Sequence, residues 1–471
     1  MTELHRNYIG GEWVAGPSAS PNRNPSNVDD VIGDYSQADA TQAKAAIAAA
    51  KAAAPAWAAG SIQDRSILLD RVGTEILARK DDLGRLLSRE EGKTLPEGVG
   101  EATRAGHIFK FYAGEVLRLA GEKLPSVRPG IDVEVTREPI GVVGLITPWN
   151  FPIAIPAWKI APALAYGNTV VFKPADLVPG CAWALSEILV KAGIPKGVFN
   201  LVMGRGSVVG EALVNDPDVA GISFTGSVST GRAIAGKAVG RMAKMQLEMG
   251  GKNPLIVLDD ADLPTAVNCA VQGAYFSTGQ RCTASSRLIV AAGIHDRFVA
   301  AMTEKLKALK VDDALAAGTD IGPVVDPSQL EQDQRYIEIG KGEGAALAWG
   351  GERLKRGSDG YYLSPALFTN ATNAMRIARE EIFGPVACVI RAKDYDEALA
   401  FANDTEFGLC AGIVTTSLKH ASHFKRNAQA GMVMVNLPTA GVDYHVPFGG
   451  RKASSYDRAS RVGMQPNSSL P

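Results

Sequence analysis

From Ile140 to Val239 short apolar runs rich in Val, Ile and Phe alternate with stretches of helical composition. The runs at 140–146, 169–173, 198–202 and 219–225 are too short for buried helices and show no polar alternation. Strands of that kind are buried on both faces, as in a parallel sheet covered by helices. The intervening helices are expected at 158–165, 181–192, 208–214 and 228–239, which makes βαβ units. A second alternating set starts near Asn253 and reaches about Asn427, with strands at 255–258, 286–290 and 386–391 and a helix at 263–277. The chain thus reads as two α/β domains meeting near Gly250-Gly251, which suits 471 residues. Upstream, the Ala-rich stretch 40–59 reads as a surface helix, with further helical pattern at 64–89 and 95–119. Pro129-Gly130 marks a turn, and the alternation at 131–135 predicts an exposed strand with one packed face.

Composition narrows the function classes. Lys plus Arg is 49 against 50 for Asp plus Glu, a formal net charge of -1, which argues against a nucleic-acid partner. The most apolar region, 140–172, is interrupted by Pro148, Pro152, Pro156, Pro162 and several glycines, so no membrane span is expected. The N-terminal stretch MTELHRNYIGGEW is polar and lacks the apolar core of a signal peptide, so a cytoplasmic location is expected. The five cysteines are scattered and none forms a CxxC pair, which suggests neither a disulfide framework nor a metal site.

Four motifs carry chemistry. Gly226-Ser227-Val228-Ser229-Thr230-Gly231 follows a strand and opens a helix, where backbone N–H groups favour a phosphate. Its spacing is neither the GxGxxG fingerprint nor a P-loop, so phosphate contact and an ordinary strand–helix turn both remain open, as they do for Gly204-Arg205-Gly206. A lone cysteine is more often a small core residue. Cys282, however, stands among Gly279, Gln280, Arg281 and Thr283, which are not core company, and Arg281 favours a thiolate. Cys181, Cys269, Cys388 and Cys410 lie in apolar patterns and read as packing. Glu248, ending an apolar strand before two glycines, reads either as a solvated loop residue or as a general base. Asn150, in Thr147-Pro148-Trp149-Asn150-Phe151-Pro152, is either part of a turn or an amide donor to an oxyanion at the exit of a parallel strand.

Together these motifs resemble the aldehyde dehydrogenase superfamily. The match also takes in Lys173-Pro174, Phe224-Thr225-Gly226-Ser227, Leu247-Glu248-Met249-Gly250-Gly251-Lys252, Glu380-Glu381-Ile382-Phe383-Gly384-Pro385 and Pro447-Phe448-Gly449-Gly450, in family order from about Asn7 to Tyr456. The resemblance implies an α/β, aldehyde dehydrogenase-like fold: a Rossmann-type cofactor domain (1–120 and 140–250), an α/β catalytic domain (251–430), and a small β oligomerisation flap with the C-terminal segment (121–139 and 431–471). It implies Cys282 as nucleophile, Asn150 and the Cys282 backbone N–H as oxyanion donors, and Glu248 as the base that activates water. Family members that transfer the acyl group to coenzyme A typically lack this glutamate, so hydrolysis is expected. The alternative from another class is a catalytically silent member of the family, against which the intact Cys282, Glu248 and Asn150 argue.

The resemblance further implies NAD or NADP. Lys173 and Asp176 fall near the adenine ribose, and Gly226, Ser227 and Gly231 near the pyrophosphate. Glu381 and Phe383 fall at the nicotinamide ribose, with Trp149 and Gly206 lining the same groove. Asp176 replaces the glutamate common in NAD-preferring members, which keeps NADP in play. Phe151, Ile155, Trp158, Phe276 and Phe448 fall where the family lines its aldehyde tunnel. Arg104 and Arg281 read either as a grip on an anion at the far end of the substrate or as solvated or structural arginines. The stretches 279–287 and 450–456 look like those of α-ketoglutaric semialdehyde (2,5-dioxovalerate) dehydrogenases, which oxidise that semialdehyde to 2-oxoglutarate. A broad-specificity enzyme, other semialdehydes (succinic, aminoadipic) and glyceraldehyde 3-phosphate are the alternatives. A homodimer or homotetramer is expected, although residues 457–471, polar and carrying Pro466 and Pro471, depart from the family pattern of a final strand.

Overall fold

The computed structural model describes residues 4–456. The tail singled out above, 457–471, lies outside the described residues. Two sheets organise the chain. In the first, the strands Val142–Ile146, Thr169–Lys173, Phe199–Leu201, Val219–Thr225 and Lys244–Glu248 run parallel. Across this sheet the order runs from Lys244–Glu248 through Val219–Thr225, Val142–Ile146 and Thr169–Lys173 to Phe199–Leu201. Strands from both chain ends extend it: Asn7–Ile9 and Glu12–Val14 at one edge, and the short antiparallel strand Ser455–Tyr456 at the other. Of the apolar runs read as doubly buried strands, Val142–Ile146 and Thr169–Lys173 are buried at every residue, whereas Val219–Thr225 leaves Ala220, Ser223 and Thr225 half-buried.

The second sheet has seven strands and centres on Pro254–Val257, Arg287–Ala291 and Val386–Ala392, which are parallel. Met432–Val435 pairs parallel with Cys410–Val414 at its edge. The stretch expected with the flap from 431 onward therefore begins as part of this sheet, because its Met-Val-Met-Val run finds a buried neighbour there.

The helical regions sit where composition placed them. Ala40–Ala59 buries one face through Ala43, Ala46, Ile47 and Ala50, so small side chains let it lie close to the sheet. The pattern at 64–89 is divided at Arg79 into Ile62–Ala78 and Lys80–Glu91. Leu95–Glu115 starts with a capping box: Glu97 Oε2 accepts from the Thr94 N–H at 3.1 Å. The hairpin Glu122–Pro125/Asp132–Val135 departs from expectation. Among the described residues its strands pair only with each other, and all four residues of the second strand are exposed, so the predicted packed face finds no cover there.

Candidate active site

In a parallel sheet the C-terminal ends of the strands share one edge, and ligand sites collect there. Five adjacent strand ends here carry the singled-out residues: Glu248, the Gly226-Ser227 turn, Trp149-Asn150, Lys173 with Asp176, and Gly206. Ser227 caps the helix Val228–Gly240, its Oγ accepting from the Thr230 N–H at 3.3 Å. Gly226 and Gly231 are required by packing: a Cβ would lie 2.4 Å from the Phe224 ring at the first and 2.3 Å from Met249 Sδ at the second. Gly206 opens a single wide turn, Gly206–Gly210, with open space around its Cα. Lys173 is buried, and its Nζ meets Asp176 Oδ1 at 3.0 Å.

The second half contributes the facing wall. Glu381 Oε1 accepts the Gly251 N–H at 2.9 Å, and a Cβ on Gly250 would sit 1.9 Å from Glu381 Oε2. Only glycines fit this turn. Burial pushes the Glu381 carboxyl up to about 7, against the pull of the Gly251 N–H and Lys252. Phe383 has φ 66 and meets Trp149 edge-on, with centroids 5.4 Å apart. That contact bridges the two halves. An exposed helix N-terminus, a lysine–carboxylate pair and an acidic acceptor form a donor and acceptor set suited to a dinucleotide's phosphate and ribose hydroxyls.

Cys282 follows a backbone that costs energy to hold. Ser277, Thr278 and Gly279 have φ of 51, 57 and 66 in succession. Non-glycine residues there cost about 1–2 kcal/mol each, so the fold must fix them. The Ser277 N–H donates to Glu97 Oε1 at 2.8 Å, Thr278 Oγ1 donates to the carbonyl of Gly322 at 3.2 Å, and Gln280 Oε1 accepts from the Val325 N–H at 3.0 Å. The Asn253 amide holds the Cys282 carbonyl at 2.8 Å. Cys282 is half-buried, whereas Cys181, Cys269, Cys388 and Cys410 are buried, as packing cysteines should be.

A cavity of about 270 Å³ brings Cys282 together with Glu248, Arg104, Arg281, Phe151, Ile155, Trp158 and Phe448. Phe276 is not among its walls; it packs on the apolar core beneath the second sheet instead. Asn150 is buried behind Phe151, and its Nδ2 donates to the Gln280 carbonyl at 3.0 Å. An amide has two N–H groups, so this bond fixes its plane and leaves a second proton for a ligand oxygen.

The charges in this cavity are mostly paired. Lys93 Nζ donates to Glu101 Oε2 at 2.8 Å and also to the Asn150 carbonyl. Arg281 Nη2 donates to Glu97 Oε1 at 2.9 Å and to Ser277 Oγ at 2.8 Å. Arg281 thus takes a structural role, its guanidinium bonded to Glu97 and the nucleophile loop, while its side chain still lines the cavity. Arg104 has no ion-pair partner among the described residues, although Glu101 and Asp443 act on it electrostatically. Glu248, buried, accepts from Gln246 Nε2 at 3.0 Å and from Ser455 Oγ at 2.6 Å. Beside it, burial pushes the Lys159 ammonium down to about 7 while Glu248 pulls the other way.

Sequence reasoning gave no role to Lys93, Glu97, Lys159 or Ser455, although Lys159 is the one charge of the apolar stretch 140–172, Ser455 lies in the stretch 450–456, and Glu97 is the fourth residue of the Thr94 capping box.

Residues 13–465 match the aldehyde dehydrogenase family. The chain belongs to that family. As an aldehyde dehydrogenase it is an NAD(P)-dependent oxidoreductase acting on small aldehydes. Among curated proteins it is 44% identical over 453 residues to an α-ketoglutaric semialdehyde dehydrogenase of Bacillus subtilis, covering 95% of this chain and 93% of that one. It is 42% identical to an α-ketoglutarate semialdehyde dehydrogenase of Haloferax volcanii, covering 97% and 95%. Among solved structures, betaine aldehyde dehydrogenase from Staphylococcus aureus in complex with NAD+ superposes with a TM-score of 0.94 at 35% identity, over 97% of this chain and 91% of that one. An NADP-dependent enzyme of E. coli also superposes with a TM-score of 0.94, at 36% identity, over 97% and 94%. Among the described residues of this aldehyde dehydrogenase, no helix is long and apolar enough to cross a membrane.

Proposed function

We propose that this aldehyde dehydrogenase oxidises α-ketoglutaric semialdehyde to 2-oxoglutarate. The observation that carries the proposal is Arg104, a guanidinium on the cavity wall with no ion-pair partner among the described residues, whereas Lys93 and Arg281 are ion-paired and Lys159 is held by Ser223 and Gln246. A substrate with a carboxylate remote from its aldehyde would supply the missing anion. The names of the relatives from Bacillus subtilis and Haloferax volcanii point the same way. A quaternary ammonium substrate such as betaine aldehyde would meet Arg104 as a like charge.

In this reading the Cys282 thiolate attacks the aldehyde carbon, and the carbonyl oxygen becomes an oxyanion received by the second Asn150 N–H. NAD or NADP, when bound, supplies the hydride acceptor for the oxidation. Glu248 then takes a proton from water as the water oxygen attacks the thioester carbon, the C–S bond breaks, and Cys282 leaves as thiolate. Glu381, Lys173, Asp176 and Ser227 hold the nucleotide, with Trp149 and Phe383 packing beside it. The domain division follows the same lines: cofactor binding up to 250, catalysis from 251 to 430. Assembly as a homodimer or homotetramer fits the exposed hairpin, and a cytoplasmic location fits five cysteines of which none is in a disulfide.

The test is formation of reduced nucleotide with purified protein, comparing α-ketoglutaric semialdehyde with propanal, each with NAD+ and NADP+. A much higher kcat/KM for the semialdehyde is expected. Equal values for the two aldehydes would reject the anionic substrate.

A further inference from the structure

We infer that Ser455 is a positioning residue for Glu248: its hydroxyl fixes the carboxylate and sets the pH at which Glu248 accepts a proton from water. The inference rests on the reading of Glu248 as the general base. Ser455 and Glu248 face each other across an antiparallel pair, Leu247 being opposite Tyr456 and Glu248 opposite Ser455. Side chains directly opposite in such a pair are within reach of one another. Ser455 Oγ accepts from the Gly450 N–H at 2.6 Å, so its single proton is directed to Glu248 Oε2, also at 2.6 Å. The other carboxylate oxygen takes the Gln246 amide, and Gln246 is itself held by Ser223 and Lys159. Each oxygen of Glu248 thus accepts a hydrogen bond from a side chain of the described residues.

Glu248 is only 4% exposed, so bulk water is a poor substitute for either donor. A hydrogen bond to the charged form of a carboxyl favours that form and lowers its pKa. Losing the Ser455 hydroxyl therefore makes Glu248 hold its proton to higher pH, and a protonated Glu248 takes no proton from water. The charged and titratable groups facing Glu248 come from three sides. Among the described residues of the cavity, Lys159 lies on the helix Ala154–Ala165, Arg281 and Cys282 on the nucleophile loop, and Glu97, Glu101 and Arg104 on the helix Leu95–Glu115, with Lys93 just before it. None of them changes when Ser455 is altered. The Ser455 strand is further fixed by the Met249 N–H, which donates to the Ser454 carbonyl at 2.8 Å, and by the Gly408 N–H, which donates to Ser454 Oγ at 3.0 Å. The C-terminal segment is in this way tied to the base and to the second half of the chain.

The test uses 4-nitrophenyl acetate, which acylates Cys282 without nucleotide, and follows the decay of the acetyl-enzyme against pH by intact mass. Ser455→Ala is expected to move the acidic limb of the decay profile upward by about one pH unit, while acylation of Cys282 stays within twofold of the parent. Ser455→Thr, which keeps a hydroxyl, is expected to restore the parent profile. Ser455→Gly, free of any side chain that must be repacked, is expected to shift as Ser455→Ala does. A Ser455→Ala or Ser455→Gly profile superimposable on the parent would overturn the inference, as would a Ser455→Thr profile shifted like that of Ser455→Ala. Glu248→Gln separates the two readings. If its acetyl-enzyme decays at the parent rate, the base itself is wrong. If it stalls while Ser455→Ala matches the parent, only the role of Ser455 fails.

Discussion

Arg104 and Arg281 line the same cavity yet predict opposite behaviour. Arg104→Leu removes a cation that has no ion-pair partner among the described residues and disturbs little else. A hydrogen-bonded charge pair is worth about 1.5–3 kcal/mol, so kcat/KM for the semialdehyde should fall roughly 10–100-fold while that for propanal stays within about threefold. Arg281→Leu strands Glu97 and frees Ser277, so it should lower kcat/KM for both aldehydes together. Measuring both substrates on both variants decides between the roles. Glu381 gives a pH prediction. Burial lifts its carboxyl to about 7, so it ionises near neutrality in the folded chain. In the unfolded chain it ionises near its ordinary value, so folding loses stability as pH rises from about 4.3 to about 7. In its proposed role the carboxylate accepts from ribose hydroxyls better than the acid does. The nucleotide Kd, followed by titration calorimetry, should therefore tighten as pH rises through about 7, and Glu381→Gln should flatten the curve. Cys282, Glu248 and Asn150 were legible in sequence because the chemistry demands those residue types in recognisable company. The commitment of Arg281 was not, because its partner Glu97 lies 184 residues away.

Among the elements, the Gly250-Gly251 turn joins the two sheets and seats Glu381. A Cβ at Gly250 would lie 1.9 Å from Glu381 Oε2. Gly250→Ala should therefore displace the carboxylate and weaken nucleotide binding by about tenfold, on the scale of a lost charged hydrogen bond. Acylation of Cys282 by an ester should stay at the parent rate. Tight nucleotide binding by Gly250→Ala would mean that the pocket relaxes or that Glu381 does not hold the ribose. The strands of the first sheet were readable because an apolar run buried on both faces has few other places to go. The run Ser277-Thr278-Gly279 was not readable. Nothing in Ser or Thr announces a positive φ, and the conformation is imposed from outside by Glu97, the Gly322 carbonyl and Val325. Met432–Val435 was misplaced for a related reason: its alternation fits any sheet, and only the neighbour Cys410–Val414 decides which.

At the scale of the whole molecule, the hairpin Glu122–Pro125/Asp132–Val135 is the part least explained by one chain. Its alternation is genuine. Leu124 stands opposite Val133, with Val135 in phase on the same strand and Ile131 just before it, while Lys123 pairs with Asp132 at 3.0 Å. Yet Leu124, Ile131, Val133 and Val135 are all exposed, and an isolated two-stranded ribbon is marginally stable in water. Open strand edges with an apolar face invite a further strand, and a second copy of the chain is the partner that the proposed homodimer or homotetramer supplies. Burying four such side chains is worth roughly 1.5–3 kcal/mol each, enough to matter to assembly and too little to replace the core of either half. Val133→Asp places a charge in the middle of that face. Light scattering behind size exclusion should then show the mass falling from a multiple of 49.6 kDa towards a single chain. Ester acylation of Cys282 should persist, since no hairpin residue lines the cavity. A parent protein that already runs as one chain would remove the argument for self-association and leave the exposed face to the fold of the hairpin alone.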